Sequence, residues 1–343
     1  MSKGFLLGIE TSCDETSASV ITYEGVALSN IIYSQIELHN QYGGIVPELA
    51  SRDHALKIET VVAQALQAAG VSPKDITSVG VTAGPGLLGC ILVGLSFAKA
   101  FALAKDIPLV GVDHVRAHAL SALIKKDKND LHKPEFPFLS MVVSGGHTSI
   151  YIVNSVTDIQ RVASTVDDAA GEVFDKVARF MGLGYPGGKI LSDLAKQGDN
   201  KKFKFTKPNV KGREHDFSFS GLKTAAITYA KGIDRNSHDL KDLAASFQEI
   251  VCTTLVDKLL LQAKERNIKD LVIGGGVASN YRLRDLLQER SRAVDLTPWL
   301  VPVEFCTDNA AMIANYARLA LEKGEHCFTS QMAKTPAYST TRK

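Results

Sequence analysis

The chain of 343 residues has no charge excess of either sign, no CxxC pair and no apolar run of bilayer length. The most apolar stretch, Gly86 to Ala98, is interrupted at Lys99, whereas a spanning helix needs about 20 apolar residues. The start, Met1-Ser2-Lys3-Gly4, offers no signal-peptide core with a cleavage site and no Arg-rich transit extension. Together these absences exclude a membrane partner and predict a soluble, cytoplasmic protein. Five cysteines, Cys13, Cys90, Cys252, Cys306 and Cys327, are dispersed, as expected for reduced, mostly buried thiols. With 39 basic against 37 acidic residues the formal charge is +2, which excludes a wholesale basic binder of nucleic acid but allows a local basic patch. An apolar share of 45% excludes bulk disorder, and the length suggests two domains at roughly 100–200 residues each.

Phosphate-binding signatures are also missing: there is no GxxxxGK[ST], and no GxGxxG opens a βα unit. What is present is a recurring device of strand, polar turn and strand. Phe5 to Glu10 reads as a buried strand, residues 11–17 as a turn rich in Ser, Thr and Asp, and Ala18 to Tyr23 as the returning strand. The device returns with Phe138 to Val143, the turn Ser144-Gly145-Gly146-His147-Thr148, and Ser149 to Val153. Periodicity predicts helices over 48–70, from Gly86 through Ala104, over 167–182, over 239–266 and over 310–322. The acids Asp167, Asp168 and Glu172 are read as the start of the third of these. A short strand, Leu271 to Ile273, runs into Gly274-Gly275-Gly276 and then Ala278-Ser279-Asn280. The mixture is α/β, with the charged, Pro-containing stretch 125–137 as the connection between lobes. Three Gly- or hydroxyl-rich turns at strand ends suit a nucleotide, because backbone N–H groups in such turns cradle phosphate.

His114 and His118 stand four apart, which on a helix places their Cβ atoms about 6 Å from each other on one face. That spacing suits two imidazoles sharing a metal, although a surface helix with two histidines is the plain alternative. A zincin needs Glu directly after the first His, and here that residue is Val115. Asp308, at a loop-to-helix junction, reads as an N-cap or as a third, oxygen ligand. Asp14, Glu15, Glu172 and Asp175 are further acids in polar turns or on the helix that follows. The run Lys201 to Arg213 carries six cations and two aromatics with no acid between, which suits RNA phosphates or a solvated loop.

Nine ordered segments then identify a resemblance. Gly8-Ile-Glu-Thr-Ser-Cys-Asp-Glu-Thr16, residues 43–54 (GGIVPELASRDH), Thr82-Ala-Gly-Pro-Gly86, His114 with His118, Val143-Ser-Gly-Gly-His147, Asp167-Asp-Ala-Ala-Gly-Glu172, Asp216 to Lys223, Gly274 to Asn280 and Phe305-Cys-Thr-Asp-Asn309 resemble the bacterial tRNA threonylcarbamoyladenosine transferase family, TsaD. This family was once described as an O-sialoglycoprotein endopeptidase. The resemblance runs from about Phe5 to Leu321. It implies the actin-like ATPase (ASKHA) fold, two RNase H-like lobes around a central cleft. The first lobe would be 1–135 completed by 308–343, and the second 136–307. It implies transfer of threonylcarbamoyl from threonylcarbamoyl-AMP to the N6 amine of the adenosine 3′-adjacent to the anticodon, in tRNAs reading codons that begin with A.

Carried over by position, His114, His118 and Asp308 match the family's ligands for one divalent metal per subunit, Fe2+ or Zn2+. Val142, Val143, Ser144, Gly145, Gly146, Asp175, Gly188 and Asn280 match its substrate and nucleotide contacts. The implied partners are tRNA, an inactive paralogue (TsaB) and a small P-loop ATPase (TsaE). Asp14, Glu15 and His147 are the candidates for acid–base work. A small-molecule kinase or ATPase of the same fold, or a non-catalytic scaffold, are the competing readings. Two departures stand out: Lys189 where Pro commonly follows Tyr-Pro-Gly-Gly, and a tail, Thr335 to Lys343, without the family's frequent Arg/Trp/Pro ending.

Overall fold

The apolar run at the N-terminus forms a strand (β1, Phe5–Glu10) buried along nearly its whole length, as a strand covered on both faces must be. It belongs to a computed structural model that describes residues 4–130, 133–234, 237–324 and 336–339. Cys327, Thr335 and the tail from 340 onward lie outside the described residues. After β1 come β2 (Glu15–Thr22), β3 (Ile31–Ser34), α1 (Ile36–Asn40), α2 (Pro47–Ala69), β4 (Ile76–Gly84), α3 (Leu88–Lys105), β5 (Leu109–Asp113) and α4 (His114–Ala119). The sheet order is β3-β2-β1-β4-β5, antiparallel among the first three and parallel from β1 to β5.

The returning strand begins at Glu15, three residues before the expected Ala18, because its first residues pair with β3 (Glu15 with Ser34) beyond the end of β1. Helix α2 starts on Pro47 in its first turn and stops at Gly70, whose φ of 65° only glycine adopts freely. Helix α3 has 18 residues with a mean hydropathy of 1.7. Its Leu95, Ala98 and Ala102 pack in the core with Ile58, Val61 and Val62 of α2, while Leu88, Leu92 and Leu103 are exposed.

The chain continues with β6 (Phe138–Val143), β7 (Thr148–Val153), β8 (Ile159–Ser164), α5 (Ala170–Phe180), α6 (Gly187–Ala195), α7 (Ser220–Lys231), α8 (His238–Arg266), β9 (Asp270–Gly274), α9 (Tyr281–Arg292) and β10 (Thr297–Leu300). Its sheet order, β10-β9-β6-β7-β8, is that of the first sheet: an antiparallel hairpin plus one strand, then two parallel neighbours. Helix α5 begins at Ala170, later than Asp167, and of the two aspartates Asp167 serves another element. Asp167 accepts the Phe219 N–H at 2.8 Å and the Ser218 and Ser220 hydroxyls at 2.6 and 2.7 Å, fixing the entry to α7. Asp168 pairs with Lys176 and Lys223.

The last helix, α10 (Ala310–Glu322), packs on β1, β2, β4 and β5. The chain thus divides into one unit of Met1–Lys133 with Asp308–Lys343 and a second of Pro134–Thr307. In β1, Leu7 and Ile9 join the core shared with α2 and α3. Gly8, between them, faces α10, where a Cβ would lie 2.3 Å from the Ala310 carbonyl oxygen. Gly80 repeats this in β4, with Ala317 Cβ at 2.5 Å from the same imagined atom. These glycines let α10 lie directly on the sheet backbone.

Replacing Gly80 by Ala is expected to destabilise the chain by about 1–3 kcal/mol through overpacking. Urea or thermal unfolding would read this as an earlier transition, whereas an unchanged midpoint would mean that α10 can lift off the sheet without loss.

Candidate metal centre

Helix α4 is six residues long, and Asp113 caps its start by accepting the Arg116 N–H at 3.0 Å. Its histidines are buried, with ring centroids 4.8 Å apart and planes at 88°. Both Nε2 atoms approach one oxygen of Asp308: His118 at 3.0 Å and His114 at 3.4 Å. One donor atom from each of the three residues lies within 4.8 Å of the others. Asp308 is not the N-cap of α10. Asn309 takes that role by accepting the Met312 N–H at 3.1 Å, which leaves the Asp308 carboxylate to the histidines.

Glu10, the last residue of β1, is the group that sequence reasoning missed. It is fully buried. One oxygen lies 2.9 Å from His114 Nδ1 and accepts the Thr82 hydroxyl at 2.5 Å, and the other accepts the Ser12 N–H at 2.5 Å. A carboxylate on the far nitrogen of a metal-type histidine fixes the ring and raises its basicity. A glutamate ending an otherwise apolar buried strand was the available signal, since a buried charge needs a partner. His118 Nδ1, by contrast, is buried without a hydrogen-bond partner among the described residues.

Burial opposes charge on all of these groups, yet their mutual fields decide most of the outcome. Asp308 and Glu10 hold the His114 pKa well above the imidazole range, against burial. The Asp308 carboxyl falls well below its usual range, because His114 and His118 outweigh its burial. Glu10 is lowered as well, burial being offset chiefly by His114. His118 goes the other way: burial, with His114 alongside, lowers its pKa despite Asp308. These shifts favour a proton on the His114 ring, which lies between the carboxylates of Glu10 and Asp308. A divalent cation fits this donor set, because it balances both carboxylate charges where the proton balances one. Two imidazoles and a carboxylate are also ligands that iron and zinc accept.

The β1–β2 turn lies beside this cluster. Ser12 Oγ is 3.2 Å from His114 Nδ1. Buried His54 of α2 holds the turn through Thr16 Oγ1 at 2.7 Å and the Cys13 carbonyl at 3.0 Å. Glu15 is raised well above the carboxyl range by burial and then by the charges of Asp14 and Asp308. His54 is thus a second contributor that sequence reasoning passed over, although it ends a quoted motif.

The predicted residues of the second unit lie at the end of β6 and in the turn after it, on α5 and α6, and at the start of α9. Val142 and Val143 end β6, and the turn after them is closed by the Ser144 N–H donating to the His147 carbonyl at 2.8 Å. The Ser144 N–H is therefore used within the turn. Gly145 and Gly146 are exposed. The His147 N–H donates to Ser144 Oγ at 3.2 Å. Gly275, with φ of 88°, passes against Val143, where a Cβ would meet the carbonyl oxygen at 2.4 Å. Asp175 Oδ1 accepts the N–H groups of Gly187 and Gly188, each at 2.9 Å. Asn280 caps α9 through Arg282 and Leu283 and donates to Gln248 at 2.8 Å and Ser192 at 3.3 Å. Lys189 is exposed in the first turn of α6.

The basic run is less free than its composition suggests. Lys202 pairs with Asp239 and Asp242, Lys207 with Asp257, and Arg213 with Asp216. Lys201, Lys204 and Lys211 are exposed.

Two units of one sheet order define an actin-like ATPase fold, here with a His–His–Asp cluster in the first. Among solved structures the chain is similar to HypF of T. kodakarensis, with a TM-score of 0.61 and 15% identity over 94% of this chain and 48% of that one. It thus spans about half of HypF. It is also similar to (R)-2-hydroxyglutaryl-CoA dehydratase component A of Acidaminococcus fermentans, with a TM-score of 0.50 and 17% identity over 96% and 99% of the two chains. These likenesses carry the fold alone. The family described as TsaD, tRNA N6-adenosine threonylcarbamoyltransferase, matches residues 26–315. Relatives of that name are 45% identical in Caldicellulosiruptor saccharolyticus, over 98% of this chain and 96% of the relative, and 47% identical in Syntrophus aciditrophicus, over 93% of each. The chain belongs to this family, and is a transferase of tRNA modification. Membership sets aside the kinase, scaffold and protease readings.

With the His114 pKa raised, a metal at this site would compete with a proton for the ring. Affinity for zinc should rise about tenfold per pH unit below the His114 pKa and level off above it. Glu10→Gln should weaken zinc about 10–100-fold. Chelator competition across a pH series checks both, and a flat pH response would remove the proton on His114 from the account.

Proposed function

We propose that this chain transfers threonylcarbamoyl from threonylcarbamoyl-AMP to the N6 amine of the adenosine 3′-adjacent to the anticodon, in tRNAs reading codons that begin with A. It does so in the cytoplasm with one divalent ion, iron or zinc, held by His114, His118 and Asp308. TsaB-like and TsaE-like proteins are its proposed partners. The observation that carries this reading is the convergence of both imidazoles on Asp308, with Glu10 behind His114.

The donor is already activated: the amine nitrogen attacks the carbamoyl carbon, the bond to the phosphate oxygen breaks, AMP leaves, and the nitrogen loses a proton. The chain's main tasks are positioning and stabilisation of developing negative charge. When bound, the ion supplies Lewis-acid polarisation of the carbonyl. Glu10 orients the His114 ring through Nδ1. Glu15, whose pKa burial and the charges of Asp14 and Asp308 raise, is a candidate for handling the amine proton together with Asp14 and His147. Gly145 and Gly146 offer exposed backbone for the AMP phosphate, while Asp175, Gly188 and Asn280 shape the nucleotide side. A loop adenosine leaves its stack at low cost, which suits a base that must enter a site.

His114→Ala should abolish metal retention and transfer while the fold persists. Glu15→Gln should keep the metal and lower transfer about 100-fold or more. The assay combines the chain, tRNA and threonylcarbamoyl-AMP, with and without partner proteins, and weighs the nucleoside by mass spectrometry. Full transfer by a folded, metal-free His114→Ala chain would end the metal role.

For tRNA, the exposed cations are the ones to test. Reversing Lys204 and Lys211 together should weaken tRNA binding and reduce the salt slope by about 2. A salt slope equal to that of the unaltered chain would assign them to solvent.

A further inference from the structure

The segment 336–339 lies in the first unit, in a seat shaped for it. The Tyr338 N–H donates to the Ala83 carbonyl at 2.9 Å. Ala337 packs against the core beside α2 and α3. The Tyr338 carbonyl and ring cover Gly84, whose φ is 145°. A Cβ there would come within 2.2 Å of that carbonyl oxygen and 2.7 Å of the ring, so only glycine accommodates the segment.

From this seat the Tyr338 hydroxyl donates to Asp113 Oδ2 at 2.8 Å. The other oxygen of the same carboxylate caps α4 through Arg116. A helix of one and a half turns has little stability of its own, so its orientation depends on its cap and its packing. The seat also reaches the opposite side of the histidines. Gly86 passes so close to Ser12 that a Cβ would lie 2.4 Å from the Ser12 carbonyl oxygen. The same oxygen accepts the Leu87 N–H at 2.8 Å, and Ser12 Oγ stands 3.2 Å from His114 Nδ1. One tyrosine thus bears on both supports of His114: the helix that carries it and the turn beside its ring.

We propose that Tyr338 is a positioning residue that acts through Asp113 and the Gly84–Gly86 turn to hold His114 and His118 in register with Asp308. The proposal rests on the metal reading for one of its two readouts only. The test uses Tyr338→Phe in the full chain. In the metal-free protein, amide hydrogen exchange over residues 114–120 should quicken about threefold to tenfold, while exchange in β6 and β9 stays as it was. Zinc affinity, from chelator competition, should fall about threefold to tenfold. Asp113→Ser keeps a capping oxygen but has no second polar atom to reach the hydroxyl, so adding Tyr338→Phe to it should cost nothing further. Unchanged exchange in α4 overturns the proposal, and so does a fully additive double variant. If the unaltered chain holds no zinc, the metal reading fails, and the exchange result still decides the role of Tyr338.

Discussion

The first unit depends on the direct contact of α10 with the sheet. Gly8 and Gly80 remove the side chains that would otherwise separate helix from strands, so α10 lies at backbone distance from β1 and β4. Close packing of this kind leaves few positions for the helix, because a shift of even one methyl group's size is felt. Asp308 sits two residues before α10, and it is 190 residues from His118 in sequence. Its place beside the two imidazoles follows from where that helix is allowed to rest. The precision of the cluster is thus inherited from two absent side chains.

Around that geometry the electrostatics are those of carboxylates gathered on a buried imidazole. Glu10 and Asp308 approach His114 from its two ring nitrogens. Removing two carboxylates from water is expensive unless positive charge stays between them. A proton on the ring meets that need in part, a divalent ion would meet it fully, and the carboxylate charges are otherwise felt by their neighbours. Glu15 registers this, since its own ionisation is opposed by burial and by Asp14 and Asp308 together. Structural and chemical roles meet here: the residues that hold the site together also set the proton affinity of the group beside it.

Much of this was legible in the sequence, for physical reasons that differ by residue. The two hairpins were visible because buried strands flank short polar turns, and α2 because Gly70 ends a periodic run. His114 and His118 were visible because four residues bring side chains to one face. The pairing of Asp308 with them was not readable from spacing, since it depends on α10 returning to the first sheet; the family resemblance supplied it. Glu10 was hidden because a single glutamate in an apolar strand has no period. Asp167 was misread as a helix start because an acid before a helix looks the same whether it serves that helix or a neighbouring one. The ion pairs of Lys202 and Lys207 were hidden because their partners, Asp239, Asp242 and Asp257, lie on α8, well beyond the basic run itself.

The division of the chain has a consequence for its synthesis. The second unit is one continuous stretch, Pro134–Thr307, whereas the first is split between the two ends of the chain. A ribosome therefore completes the interior unit before the outer one has its final helix, and domains generally fold as they emerge. Until residue 308 has been made, His114 and His118 lack the carboxylate that faces them, and one face of the β1–β4 pair lacks its cover. A nascent chain that stops short of α10 therefore holds two imidazoles of the cluster without the residue that joins them.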